Sequence, residues 1–146
     1  MNLETLNLPI RKTHLTLIQM SNLIKNNGDT IGLNTKVTSD MLDLSVLAVC
    51  SDITPRIFLV ENISDSLEIL TGNELVNSIY HFLLLDMRYP INGSIKSFQG
   101  KKFSELTKSE QRSFKDCELY LSIFSVETNE EEKELTFRKI IKSLNL

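Results

Sequence analysis

Histidine and cysteine are too scarce in this chain to build the common catalytic and metal centres. His14 and His81 are its only histidines, too few for a zinc site or an HNH-type nuclease. Neither stands in a Ser/His/Asp or Cys/His arrangement, and His81 reads as a half-buried or surface residue of a helix. Cys50 and Cys117 form no CxxC pair, and a disulfide framework needs more cysteines than two. Both sit among apolar neighbours and read as buried free thiols. No apolar run approaches the roughly 20 residues that span a bilayer. The N-terminus has no basic head before an apolar segment, so no secretory signal is expected. The chain therefore reads as soluble and cytoplasmic, without a membrane partner. The phosphate-binding patterns GxxxxGK[ST] and GxGxxG are missing too. So is an excess of positive charge: 16 Lys+Arg face 19 Asp+Glu, for a net charge of -3. That balance excludes a bulk basic nucleic-acid binder, and nonspecific DNA affinity is expected to be about 10⁻⁴ M or weaker at physiological salt.

What is present fits one domain, since 146 residues are too few for two comfortable ones. Residues 1–12 read as an arm and residues 13–146 as a single domain. Leu17, Met20 and Ile24 repeat with helical spacing, which predicts a helix from Thr13 to the stop at Asn26-Asn27-Gly28. Thr30 to Leu33 reads as a short strand. Ser39 is the expected N-cap of a second helix, Met41 to Cys50, apolar nearly all round and so buried on most sides. Ile57 to Val60 reads as a strand, Asn62 to Ser66 as a turn, and Leu67 and Ile69 as the returning arm of a hairpin. A helix starting near Gly72 puts Leu75, Ile79, Phe82 and Leu83 on one face. Pro90 and Asn92-Gly93 mark a loop. Thr107 with Glu110 makes a capping box. Leu119, Leu121 and Ile123 predict a strand packed on both faces. Thr128 with Glu131 opens a last helix burying Phe137, Ile140, Ile141 and Leu144. The acidic run Glu127 to Glu134 complements that helix's N-terminus, and Lys101, Lys102, Lys108 and Arg112 read as a solvated face. Few, short strands interspersed with helices predict an α+β domain.

The segment Glu68-Ile69-Leu70-Thr71-Gly72-Asn73-Glu74-Leu75-Val76-Asn77-Ser78-Ile79-Tyr80-His81-Phe82-Leu83 resembles E-V-I-D-G-Q-Q-R-L-T-A-L-Y-R-F-L. That pattern belongs to the N-terminal domain of GmrSD-type restriction factors. Flanking pieces agree in order. Ile53 to Leu59 resembles the family's P-I-P-P-I-x-L strand, Gly100 to Leu106 its G-x-x-F-x-D-L, and Leu135 to Ile140 its I-F-x-R-I/L-N ending. Upstream, Leu23 to Gly28 with Ile31 resembles the helix leading into I-P-x-x-Q-R. The resemblance spans residues 13–142 and implies a ParB/sulfiredoxin-like fold, a short mixed sheet with surrounding helices.

The departures from the family pattern bear on function. The family's D-G-Q-Q-R loop is implicated in nucleotide binding and hydrolysis: its glycine admits a tight turn and the helix N-terminus behind it faces phosphates. Here Gly72 remains, but Thr71 stands for the Asp, Asn73 and Glu74 for the two Gln, and Leu75 for the Arg. Lys36 stands for the Arg of the upstream Q-R pair. Losing a phosphate-facing cation and gaining a carboxylate makes the pocket worse for an anion. The family's HNH nuclease domain has no counterpart in the chain. The resemblance thus implies a catalytically inactive domain without a cofactor, acting by binding a protein partner in a phage-defence, antidefence or regulatory system. Nucleic acid is not an expected partner. The alternative is a residual nucleotide- or nucleic-acid-binding module. In either case the candidate binding residues are Lys36, Thr71, Gly72, Asn73 and Glu74, with Thr71 expected to cap the helix.

Overall fold

The computed structural model describes residues 10–27, 36–61 and 67–125. Within them lies a four-stranded mixed sheet with four α-helices, an α+β architecture as the sequence predicts. Strand β1 (Ile10–Thr16) leads into helix α1 (Leu17–Asn27), and α2 (Ser39–Cys50) follows. Next come β2 (Ile57–Glu61), β3 (Leu67–Ile69) and α3 (Asn73–Leu84). Helix α4 (Lys108–Lys115) and β4 (Glu118–Ser125) complete the described chain. The predicted strand at Thr30 to Leu33, the turn at Asn62 to Ser66 and everything after Ser125 lie outside the described residues.

The spatial order is β1-β4-β2-β3. β4 pairs antiparallel with β1 (His14 opposite Tyr120) and parallel with β2 (Leu59 opposite Ile123), and β2 pairs antiparallel with β3 (Leu59 opposite Ile69). The register places Leu119, Leu121, Ile123, Ile57, Leu59 and Ile69 on one face, and all six are buried. Tyr120 and His14 share the opposite face, and Tyr120 is 46% exposed. β4 is therefore not packed on both faces along its whole length. Buried Ser122 lies on that same opposite face, where Arg56 reaches it.

The first helix starts later than its periodicity suggests, because residues 10–16 are a strand and not an arm running into a helix. Thr16 ends β1 and also caps α1. Its N–H donates to Gln19 Oε1 (2.9 Å), and the Gln19 N–H donates to Thr16 Oγ1 (3.2 Å). That reciprocal Thr-x-x-Gln box fixes the helix start. At α2 the cap is Thr38, not Ser39: Thr38 Oγ1 accepts the Met41 N–H at 3.2 Å. Nor is α2 buried on most sides. Leu42, Ser45, Val46 and Val49 face inward, whereas Leu44 is 66% exposed. The Thr107–Glu110 box at α4 forms as the sequence predicts. Cys50 is exposed and Cys117 half-buried, both as free thiols, so neither is the fully buried cysteine expected. Cys50 ends its helix and Cys117 precedes its strand, boundaries where apolar sequence neighbours do not enclose a side chain.

The long connection between α3 and α4 is held by a polar anchor. Tyr89, fully buried, donates its hydroxyl to Asp43 Oδ1 of α2 and accepts the Ile95 N–H (3.1 Å). Ser94 adds its N–H to Asp43 Oδ1 and its hydroxyl to Oδ2, both at 2.9 Å. Burial, then the Asp43 carboxylate, push the Tyr89 hydroxyl up to about 12, so it stays a donor. For Asp43, burial pulls upward, but the hydrogen bonds from Tyr89 and Ser94 outweigh it and hold the carboxyl below its ordinary value. A lowered folded value means Asp43 stabilises fully above the unfolded value of about 3.9 and loses that contribution as pH falls through the lower folded value. Asp43→Asn should therefore lower the urea midpoint at neutral pH. The gap to wild type should narrow as the buffer is taken below about pH 4. A gap independent of pH would show that the charge is not what the anchor uses.

Candidate functional site

The loop carrying the family-like motif is pinned to β2 by main-chain and side-chain bonds. The N–H groups of Leu70 and Thr71 donate to Phe58 O at 2.7 and 3.3 Å. In return the Phe58 N–H donates to Thr71 Oγ1 at 3.1 Å. Thr71 thus extends the β2–β3 pairing by one rung made from a side chain. It does not cap α3, as the sequence suggested. The residue at the cap is Gly72, with no side-chain cap.

Gly72 has two reasons to be glycine. Its φ of +88° lies in the left-handed region, and a Cβ there would stand 3.1 Å from Ile57 Cγ1. The turn lets the chain leave the sheet and enter α3 directly, with the Val76 N–H closing the first helical bond on Gly72 O at 3.0 Å. Inward-facing Val76, Ile79, Phe82 and Leu83 then seat α3 in the core, while Leu75 is only half-buried. Asn73 Oδ1 is buried without a hydrogen-bond partner among the described residues.

A shallow, open groove of about 490 Å³ lies against this turn. Thr71, Gly72, Asn73 and Glu74 all line it, so the structure brings four of the five candidate residues together. Lys36 is exposed, just ahead of the α2 cap, and does not line the groove. The remaining wall comes from Leu70 and Leu75 of the motif segment and from residues that the motif did not point to: Leu44, Ser45 and Ala48 of α2, and Pro55. The signal for them was the apolar excess on α2, which burial alone does not use up. Ile53, 71% accessible, follows α2 and donates its N–H to Ala48 O at 3.1 Å.

Among the described residues, Glu74 is the only charged side chain in the groove wall. The neighbouring cation, Arg56, is committed elsewhere: its guanidinium donates to Leu121 O at 3.0 Å and Ser122 Oγ at 3.4 Å on β4. His81 sits one turn before the far end of α3, where its Nδ1 donates to Asn77 O at 2.9 Å. The groove therefore combines main-chain donors at a helix start with aliphatic walls and one carboxylate. It can hold an apolar side chain and hydrogen-bond a peptide carbonyl. Among the described residues it offers no side-chain cation to a phosphate.

Thr71→Ala leaves the Phe58 N–H without its acceptor and should lower stability by about 1–2 kcal/mol, with Thr71→Ser retaining most of it. Hydrogen exchange discriminates the two roles of this residue. Loss of the rung speeds exchange at the Phe58 amide, whereas loss of a cap would speed the first-turn amides of α3.

No helix among the described residues is long and apolar enough to cross a membrane. No family model matches the chain, and neither a curated protein nor a solved structure does.

Proposed function

We propose that this chain is a non-catalytic relative of the GmrSD N-terminal domain that works by binding a protein partner through the groove at the start of α3. The observation that carries this reading is the groove's lining: aliphatic walls from Leu44, Ala48, Pro55, Leu70 and Leu75, with Glu74 as its sole charge among the described residues. Exposed apolar surface rimmed by polar groups is what protein interfaces use, and a carboxylate at a helix start repels phosphate. A component of a phage-defence, antidefence or regulatory system is the setting the resemblance implies. The second reading, a residual nucleotide site, draws on one feature, the uncapped start of α3 beside Asn73 Oδ1, which has no hydrogen-bond partner among the described residues.

The test pairs melting temperature with partner capture from cells that express the protein. Leu44→Asp and the double variant Asn73→Ala/Glu74→Lys alter the groove without touching the core, and surface changes of this kind shift stability by about 0.5 kcal/mol or less. Unchanged melting with loss of a partner that wild type retains supports the proposal. Partner retention by both variants overturns it.

A further inference from the structure

Away from the groove, helix α4 carries its positive charge on one side. Lys108, Arg112 and Lys115 stand at i, i+4 and i+7, so their side chains share one face. The one acidic residue of the helix, Glu110, lies on another side, where its carboxylate accepts the Thr107 N–H at 3.0 Å. The ion pairs of the described residues are Arg11–Glu61, His14–Glu118 and Arg88–Glu105, so among those residues no carboxylate pairs with any of the three cations. Lys108 and Arg112 are exposed. Lys115 is half-buried, its Nζ 5.8 Å above the centre of the Phe103 ring.

Helix stability accounts for two of these charges and not for the third. Arg112 and Lys115 lie in the last turn, where the macrodipole favours a cation. Lys108 is the first residue after the Thr107 cap, where the same dipole disfavours one. The helix is also a rigid platform. The Thr107–Glu110 box fixes its start, Gln111 Nε2 donates to Leu106 O at 2.9 Å, and buried Phe114 packs against Phe82, Phe98 and Phe103. The stripe thus keeps a fixed length of about 10 Å along the helix axis.

The borders of the stripe select the anion that fits it. Asp116 caps the end of the helix and Glu118 opens β4 just beyond, both exposed, while Glu105 precedes the helix and is held by Arg88 at 2.8 Å. A nucleic-acid strand or an anionic bilayer overruns so short a stripe and meets those carboxylates, on a chain of net charge -3. The one aromatic ring of α4, Phe114, is buried, so no base stacks there. A short acidic peptide meets the cations without the border. We infer that the Lys108–Arg112–Lys115 face of α4 docks a short acidic segment of a protein partner, one with about three carboxylates at matching spacing. None of these residues lines the groove at α3, so the two surfaces stand or fall separately.

The experiment follows the amide resonances of the full chain during titration with two alanine-based helical peptides, one with three glutamates at i, i+4 and i+7 and one with glutamines there. The glutamate peptide should shift the amides of α4 saturably and the glutamine peptide should not. Its half-saturation concentration should rise as salt is taken from about 0.01 M to 0.15 M, where the screening length falls from about 30 Å to 8 Å. Lys108→Glu should weaken binding about fivefold or more and leave the melting temperature unchanged or higher, because a carboxylate suits the first turn of a helix. Lost binding without lost stability is the signature of a docking charge. Equal responses to the two peptides, shifts confined to residues outside α4, or full binding by Lys108→Glu/Arg112→Glu would each overturn the assignment. So would tighter binding at α4 of an oligothymidylate or of anionic vesicles than of the glutamate peptide.

Discussion

Phe82→Ala is expected to lower stability by about 3–5 kcal/mol, and the melting temperature by roughly 10 °C or more. Phe82 is fully buried on α3, and four aromatic rings surround it. Its ring centroid lies 5.5 Å from Phe114, 5.7 Å from Phe103, 6.2 Å from Phe98 and 6.3 Å from Tyr89. Those partners come from α4, from the two 3₁₀ turns Phe103–Glu105 and Lys96–Phe98, and from the connection that carries the Asp43 anchor. The edge-to-face contacts with Phe103 and Phe114 add to the area term, so the cost reflects both lost burial and lost ring geometry. Rigid neighbours cannot all collapse into the space. Phe82→Leu keeps most of the volume and should cost markedly less. Equal losses for Leu and Ala in urea unfolding would mean that ring packing is not the source of the stability.

Gly93→Ala is expected to be the most damaging single-methyl addition to the described fold, at about 1–3 kcal/mol or more. A Cβ at Gly93 would lie 2.7 Å from Tyr89 Cζ and 2.9 Å from its hydroxyl oxygen, with Cε1 closer still. Tyr89 cannot step aside, because Asp43 and the Ile95 N–H hold its hydroxyl and Phe82 and Phe98 flank its ring. The glycine is required here for close approach, not for an unusual φ. The variant should lose the Asp43 anchor along with its packing, so combining it with Tyr89→Phe should cost less than the sum of the two changes. Strict additivity in the double-mutant cycle would contradict the coupling.

The strands β2 and β4, the helix α3 and the Thr107–Glu110 box were legible because each is written in one short stretch: a continuous apolar run, an alternation, an apolar face, a cap with its partner three residues on. The failures have a common physical form. Thr16 serves strand and helix at once, and the register with β4 that makes residues 10–16 a strand involves residues far along the chain. Leu44 looks like core by composition, but whether a helix face is covered depends on what packs there. Thr71 has a capping residue's chemistry but stands one place before the cap and does a strand's job, since its acceptor role is set by Phe58, thirteen residues earlier.

The candidate site was half legible. The turn at Gly72 and the residues Thr71, Asn73 and Glu74 follow from one contiguous motif, and they do meet in one groove. Lys36 enters only through a weak upstream likeness and does not line it. Leu70 and Leu75 of the apolar wall belong to that stretch too, but Leu44, Ala48 and Pro55 come from elsewhere, and no local pattern links them to the motif.

The central claim, that the groove has the turn of a phosphate site without its charge, is tested most directly by calorimetric titration of Mg²⁺-loaded GTP and ATP into the wild-type chain. The account predicts no saturable binding up to nucleotide concentrations of about 1 mM, an affinity worth only about 4 kcal/mol. Saturable micromolar binding that Asn73→Ala weakens would contradict it.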